Sequence, residues 1–261
     1  MAELDKEQLS DIESGPGASA AVDGGGIISS RDERELGRLF WLLEGQQEVG
    51  ERLATISAEW LGRPYIENSL DPPGGRESLR VQLQGFDCVT LIETALAVSL
   101  SDDTAGFIGA LRQIRYQDAI VEWPNRNHYM TDWVANNLAR GILRDLTTGQ
   151  ATMEKITALD VVEGLPPKLT AFRYFPQENL KSIKRRVQTG DIACFAAVRP
   201  GLDVFHTGIL IGSDGAIILR HASRSAGAVV DQDLDRFVAE NKMLGLILVR
   251  PVIPACVRLT G

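Results

Sequence analysis

The chain has 261 residues, of which 44% are hydrophobic and 24% charged, and these values exclude a disordered, collagen-like or low-complexity protein. Its 27 basic and 35 acidic residues give a net charge of −8, and the isoelectric point lies near 5.0. An acidic chain without basic clusters is a poor ligand for nucleic acids and anionic membranes. We therefore expect neither as a partner.

The sequence contains no apolar run approaching the roughly 20 residues that span a bilayer. The acidic start of the chain lacks the apolar segment of a Sec signal peptide. The chain as it stands therefore predicts a cytoplasmic location, and removal of a leader would predict a periplasmic one. Its three cysteines, Cys88, Cys194 and Cys256, are odd in number and widely spaced, which argues against a disulfide framework and a four-cysteine zinc site.

Residues 1–29 are rich in glycine and alanine without an apolar period, and we predict a disordered tail there. The remaining residues, 30–261, contain no linker and predict a single domain. Ser30 and Glu33 fit a capping box that opens the first helix, and a second helix is predicted over 47–61.

A third helix is predicted to begin after Asp87, whose side chain suits the N-cap, and to end near residue 99. Glu93 on this helix is predicted to be salt-bridged rather than reactive. Another helix is expected near 104–114. The aromatic and polar stretch 116–133 predicts a strand and an ordered loop, followed by a short helix over 133–143.

Beyond about residue 150 the pattern changes from helical to strand-like. Predicted strands cover 192–198, 204–211, 216–222, 228–230 and 244–249, with a helix near 234–242. Strands joined by tight turns form antiparallel sheets. Helices first and strands later predict an α+β domain.

Two of the chain's three histidines lie on the predicted hairpin 204–222. If the turn residues are 213 and 214, His206 lies directly opposite His221. If they are 214 and 215, His206 lies opposite Ser223, and His221 is its diagonal neighbour on the same face. Either turn leaves both imidazoles within reach of each other.

Cys88 falls in the first turn of its helix, where the helix dipole is predicted to lower the thiol pKa. With His206 as base and His221 orienting that base, the three side chains fill the roles of a nucleophilic triad. Three other interpretations remain open: a buried structural cysteine, a surface histidine pair, or zinc bound by one thiolate and two imidazoles.

Three motifs in this order resemble a known family. They are GFDCVT at 85–90, LDVFHTG at 202–208 and HAS at 221–223, and the tract NRNHYMTDW at 125–133 adds to the likeness. Together they resemble the N-acetylmuramoyl-L-alanine amidase-like branch of the NlpC/P60 cysteine peptidase superfamily, over roughly residues 35–252.

The resemblance implies a papain-like NlpC/P60 core, with a nucleophile-bearing helix packed on an antiparallel sheet and extra N-terminal helices. It implies hydrolysis of the amide that joins the lactyl group of N-acetylmuramic acid to L-alanine in muropeptides, with Cys88, His206 and His221 as the triad and no cofactor or metal. The substrate cleft would be lined by Asn125, Arg126, Asn127, His128, Tyr129, Trp133, Asp203 and Ser223. Endopeptidase or acyltransferase activity of the same triad and a non-catalytic cell-wall-binding module are the alternatives.

The sequence departs from the family pattern at two places. Gln117 and Ala119 stand where the resemblance leads us to expect arginine and glycine. Phe205 and Thr207 flank His206 where smaller or more apolar residues are usual. These departures concern the substrate details more than the triad.

Overall fold

The computed structural model describes residues 19–22, 26–70, 76–149, 151–213 and 215–253. Its helices are α1 (Ser30–Leu42), α2 (Val49–Ala58), α3 (Cys88–Ser99), α4 (Thr104–Arg115), α5 (Met130–Ala139), α6 (Leu180–Ile183) and α7 (Leu234–Glu240). Its strands are β1 (Ser19–Val22), β2 (Gly26–Ser29), β3 (Leu79–Arg80), β4 (Leu143–Asp145), β5 (Met153–Leu159), β6 (Lys168–Pro176), β7 (Asp191–Ala196), β8 (Val204–Ser213), β9 (Ala216–Ser223), β10 (Ala228–Asp233) and β11 (Gly245–Pro251). Helices dominate the first half and strands the second, which confirms the predicted α+β class.

The main sheet has the strand order β10-β9-β8-β7-β11-β6-β5, and β4 pairs with β11. Each neighbouring pair in it is antiparallel. Alternate side chains of the central strands enter two cores. Cys194 and Ile209 join the core formed with the N-terminal helices, whereas Phe195 and Leu210 join a second core that includes Phe237 of α7. Cys194 is fully buried in this first core.

The helix that carries Cys88 packs across β8 and β9, as predicted, and α2 and α4 flank it. Every residue of α3 from Thr90 to Ser99 is buried. Glu93 forms a buried ion pair with Arg115, with 2.7 Å between Oε2 and Nε, which confirms its predicted salt-bridged role. The helix is therefore held on all sides.

The N-terminal region differs in detail from the sequence prediction. Residues 1–18 of the predicted tail lie outside the described part, but from residue 19 onwards the chain forms β1 and β2. Ile28 is fully buried, and this apolar anchor orders a segment whose glycines suggest a tail. The N-cap of α1 is Ser29 rather than Ser30, because the Ser29 hydroxyl accepts the amide of Asp32 at 3.1 Å.

Two strands were not predicted from the sequence, and one helix begins ahead of its predicted position. The sequence gives no clear sign of β5 and β6, because exposed and half-buried side chains alternate along β5 and the first part of β6, and Leu169 is 76% exposed. Helix α5 begins at Met130, ahead of the predicted 133, and the tract before it folds as 3₁₀ turns at Gln117–Ala119 and Trp123–Asn125 rather than a strand.

Candidate active site

A reciprocal capping box fixes the start of α3. The Asp87 carboxylate accepts the amides of Val89 and Thr90 at 2.9 and 2.7 Å, and the Thr90 hydroxyl accepts the amide of Asp87 at 3.0 Å. Such a box satisfies the donors that a helix start leaves unpaired. Asp87 is therefore a cap, as predicted, and Cys88 occupies the first helical position.

The partly buried Cys88 thiol lies against strand β8. The backbone amides of Thr207, Cys88 and Val89 face its sulfur closely enough to favour the ionised thiol. A strand amide points along the plane of its sheet. The sulfur therefore meets β8 at the level of its backbone, at Thr207.

The expectation of a lowered thiol pKa at Cys88 is wrong. Burial and then the negative charge of Asp87 raise the pKa of the Cys88 thiol to about 12, although the amides of Thr207, Cys88 and Val89 oppose the rise. Desolvation of the charged form outweighs the helix start here. At neutral pH the sulfur therefore carries its proton.

The two histidines of the hairpin are hydrogen-bonded to each other. His206 Nε2 and His221 Nδ1 are 2.7 Å apart, and their rings meet edge to face. Ser213 pairs with Ala216, so the turn residues are 214 and 215 and the diagonal arrangement is the one adopted. The predicted proximity of the two imidazoles is confirmed.

Both imidazoles are neutral at physiological pH. Burial, followed by the neighbouring His221, lowers the pKa of His206 to about 3. Burial also lowers the pKa of His221, and the hydrogen bond that Gln232 Oε1 accepts from His221 and the charge of Asp231 oppose this. The site at rest therefore combines an uncharged thiol with two uncharged imidazoles.

Two neighbours of this site were absent from the sequence prediction. Gln232 on β10 places its Oε1 3.2 Å from His221 Nε2. Tyr65 is the second neighbour. Burial, followed by the nearby Cys88 and Asp87, raises the pKa of its phenol. The register that pairs His221 with Val230, two residues before Gln232, would have identified Gln232, but the sequence does not fix that register.

An open groove of about 840 Å³ adjoins the histidine pair. Arg224 and Arg236, with Glu240 and Asn241, form part of its polar wall. Ser223, which the resemblance places in the cleft, also lines this groove, and its hydroxyl accepts the amide of Ala226 at 3.2 Å. The groove therefore opens beside His206, which is partly exposed, and reaches His221, which is buried.

The tract at 125–133 is tied inward by hydrogen bonds. Asn125 ends a 3₁₀ turn, and Arg126 bonds the carbonyl of Leu70 at 3.3 Å. Asn127 donates to the carbonyl of Ile114 at 3.1 Å, and His128 Nε2 lies 2.7 Å from the carbonyl oxygen of Trp123. These contacts explain the order of a segment with little regular structure.

The second part of the tract connects with the strand that carries His206. The carboxylate of Asp203 accepts the amide and the hydroxyl of Thr131 at 2.7 and 2.8 Å, and thereby caps α5 from outside the helix. This remote cap explains why α5 starts ahead of its predicted position. Trp133 is fully buried, and the Tyr129 hydroxyl accepts two loop amides, those of residues 161 and 162, at 3.1 and 3.2 Å.

The described residues contain no group of three or more His, Cys, Asp or Glu side chains arranged to hold a metal ion. The hydrogen bond between His206 Nε2 and His221 Nδ1 occupies one nitrogen of each imidazole, so the donor set does not converge on a common point. The zinc interpretation therefore lacks support in the geometry. Within the same described part, no helix combines the length and apolar character needed to cross a membrane.

The fold has known counterparts. An N-acetylmuramoyl-L-alanine amidase from Bacteroides uniformis, solved by crystallography, matches with a TM-score of 0.72 at 25% identity, over 78% of this chain and 98% of that one. Protein LPG0564 from Legionella pneumophila matches in fold with a TM-score of 0.74 at 19% identity, over 86% of this chain and 95% of that one. No curated protein matches the chain significantly.

These likenesses define an α+β protein of the amidase-like type. The family model described as N-acetylmuramoyl-L-alanine amidase-like matches residues 55–246, which is more than half of the chain. The chain belongs to this family, and the resemblance predicted from its motifs is confirmed. Membership supports a peptidoglycan amidase-like function and hence a hydrolase.

Proposed function

We propose that this protein is a cysteine amidase that hydrolyses the amide between the lactyl group of N-acetylmuramic acid and L-alanine in peptidoglycan fragments. The observation that carries the proposal is the hydrogen bond between His206 on β8 and His221 on β9, because the amide of Thr207, the next residue of β8, faces the Cys88 sulfur. A thiol, a base and a group that orients the base are the parts an acyl-transfer enzyme needs.

In the first step, the Cys88 thiol transfers its proton to His206 at the same time as its sulfur bonds to the substrate. His206 Nε2 is engaged with His221, so Nδ1, the ring nitrogen nearer the His206 backbone, is the one available to the thiol. As the sulfur attacks the lactyl carbonyl carbon, its proton moves to Nδ1. Because both groups are uncharged at rest, the thiolate forms only as the S–C bond forms.

The remaining steps return the enzyme to its starting state. The C–N bond breaks while His206 gives the proton to the L-alanine nitrogen, which leaves with the peptide. Water then loses a proton to His206 and attacks the thioester, the C–S bond breaks, and the sulfur recovers its proton. The products are a free lactyl carboxylate and a peptide that begins at L-alanine.

The start of α3 also supplies a donor for the oxyanion. Asp87 takes the amides of Val89 and Thr90, whereas the amide of Cys88 lies beside the sulfur where the tetrahedral intermediate would form. A fixed backbone donor at such a point lowers the barrier because it needs no reorganisation. We assign the oxyanion to this amide.

The residues that the resemblance places in the cleft divide into two groups in this proposal. Ser223 lines the groove beside the histidines and is a candidate for direct contact with the substrate. Asn127, Tyr129, Trp133 and Asp203 are buried, so we propose that they support the cleft wall from behind. Asn125, Arg126 and His128 complete the proposed wall.

Mass spectrometry of a defined muropeptide incubated with the wild type, with Cys88→Ala and with Cys256→Ser tests the proposal. Release of a peptide beginning at L-alanine by the wild type and Cys256→Ser, but not by Cys88→Ala, is the expected result. Cleavage between stem residues would replace the amidase by an endopeptidase, and transfer of the muramyl group to an added amine would indicate an acyltransferase. Release by Cys88→Ala would refute the cysteine mechanism.

A further inference from the structure

The imidazole pair continues into a longer hydrogen-bonded chain that reaches α7. We propose that Gln232 and Glu240 are positioning residues that hold His206 in the tautomer whose Nδ1 accepts the thiol proton. This inference rests on the proposed function, because it assigns those residues a part in the same proton transfer.

The orientation of the Gln232 amide follows from its second partner. Gln232 Nε2 lies 2.9 Å from Glu240 Oε2, and a carboxylate can only accept a hydrogen bond. The amide nitrogen must therefore face Glu240, which leaves the amide oxygen toward His221. Glu240 is held in turn by Arg236, whose Nε donates to Oε1 at 2.7 Å, one helical turn away on α7.

The amide oxygen then fixes both imidazoles in sequence. Since Gln232 Oε1 can only accept, His221 Nε2, at 3.2 Å, carries a proton. A neutral His221 then has a lone pair on Nδ1, which accepts the Nε2 proton of His206 across 2.7 Å. A neutral His206 in this state has its lone pair on Nδ1, the nitrogen that the proposed mechanism requires.

Without the Gln232 oxygen, nothing would fix which group donates and which accepts in the hydrogen bond between His221 and His206. His221 could then carry its proton on Nδ1 and donate a hydrogen bond to His206 Nε2, which would place the single ring proton of His206 on Nδ1. That tautomer cannot accept from sulfur. Groups one shell beyond the reacting residues typically change activity about 10- to 100-fold, and we expect a loss in this range.

Three variants and a control test the positioning role. Gln232→Met removes the acceptor, and Glu240→Leu, on an exposed side chain, frees the amide to rotate without touching the core. The double variant Gln232→Glu with Glu240→Gln exchanges the two groups and keeps an acceptor at His221 and a donor at position 240. Gln46→Met is the control, because Gln46 is also partly buried and bonded at both ends, to Leu42 and Thr55.

The readouts are kcat and KM on the muropeptide and the ring ¹⁵N chemical shifts of the three histidines. Gln232→Met should lower kcat about 10- to 100-fold with KM changed less than about threefold, and should convert His206 to a mixture of tautomers. Glu240→Leu should lower kcat in the same direction but less. The double variant should recover most of kcat, and Gln46→Met should match the wild type.

An unchanged kcat or an unchanged His206 tautomer in Gln232→Met would overturn the positioning role while leaving the amidase intact. A wild type without amidase activity would overturn the proposed function, and the ¹⁵N shifts would still decide whether Gln232 sets the tautomer. If Gln232→Met does not fold, the same shifts in Glu240→Leu provide the decision.

Discussion

The hairpin of β8 and β9 and the tract at 125–133 both stand out in the sequence for their polar and aromatic residues, yet the fold uses them differently. On the hairpin, His206 and His221 bond to each other beside an open groove. In the tract, Asn127 and His128 bond to backbone carbonyls. Side chains that satisfy the backbone hold a fold together, whereas side chains bonded to one another beside a groove remain available for chemistry.

The largest effect that would test this contrast is on catalysis. Cys88→Ala removes the nucleophile and should reduce amide hydrolysis by at least roughly a thousandfold. The start of α3 should remain intact because Asp87 caps it through backbone amides. Initial rates and thermal unfolding would be measured together, with Cys256→Ser as the cysteine control. A Cys88→Ala variant that folds and retains a tenth of the rate would contradict the assignment.

The second effect concerns stability at the tract. Asp203→Ala should lower the free energy of unfolding by about 3 kcal/mol, because it strips a partner from the amide and hydroxyl of Thr131 and from the amide of Val204. Asp103→Ala, which loses an exposed cap on α4, should cost about 1 kcal/mol. Urea unfolding measures both.

A second variant of Asp203 tests whether its side chain has only a structural role. If Asp203 supports the cleft from behind, the folded Asp203→Asn protein keeps its KM for the muropeptide within about threefold. A tenfold rise in KM in a well-folded Asp203→Asn protein would mean that this side chain contacts substrate, as the resemblance implies.

The third effect is a pH dependence of stability. The pKa of His206 is lowered from its usual 6.5 to about 3, so between these values the unfolded chain binds a proton that the folded chain does not. The contribution of the neutral His206 imidazole to the free energy of unfolding is complete above pH 6.5 and decreases as the pH falls from 6.5 to about 3. The wild type should lose roughly 1 kcal/mol per pH unit more than His206→Gln between pH 6 and 4. If the free energy of unfolding, measured with urea, changed equally with pH in the wild type and in His206→Gln, the lowered pKa of His206 would be contradicted.

The smallest effect sharpens the picture of the turn before the tract. Ala119 has a φ of +56°, a left-handed conformation that glycine adopts freely. Ala119→Gly should therefore stabilise the protein by about 0.5 kcal/mol, whereas Ala135→Gly, at an exposed position of α5, should destabilise it by about 1 kcal/mol. Chemical denaturation distinguishes the two signs, and a loss of stability in Ala119→Gly would contradict the argument from backbone strain.

Local rules account for what the sequence predicts well. The Asp87 cap, the α3 helix and the shared face of His206 and His221 depend on neighbours within a few residues or on the period of a hairpin. The family motifs rest on the same short segments. These parts of the fold and of the candidate site could therefore be predicted without coordinates.

Contacts between distant segments account for what it does not predict. Asp203 caps α5 across 72 positions of sequence, and Gln232 reaches His221 only through the register of β9 with β10. The thiol pKa is also a property of packing: burial of Cys88 outweighs the helix start. Desolvation depends on all surrounding atoms, and no short pattern encodes it.

The central claim is that the Cys88 sulfur, with His206 as the base that accepts its proton, carries the muramyl group during the reaction. Acid quenching of the wild type during turnover of a muropeptide, followed by peptide mass mapping, tests it directly. We expect the mass of the lactyl-linked sugar on the peptide that contains Cys88, reduced in His206→Gln and removed by hydroxylamine. Amide hydrolysis that proceeds with the adduct on another residue, or with equal rate in Cys88→Ala, would contradict the account.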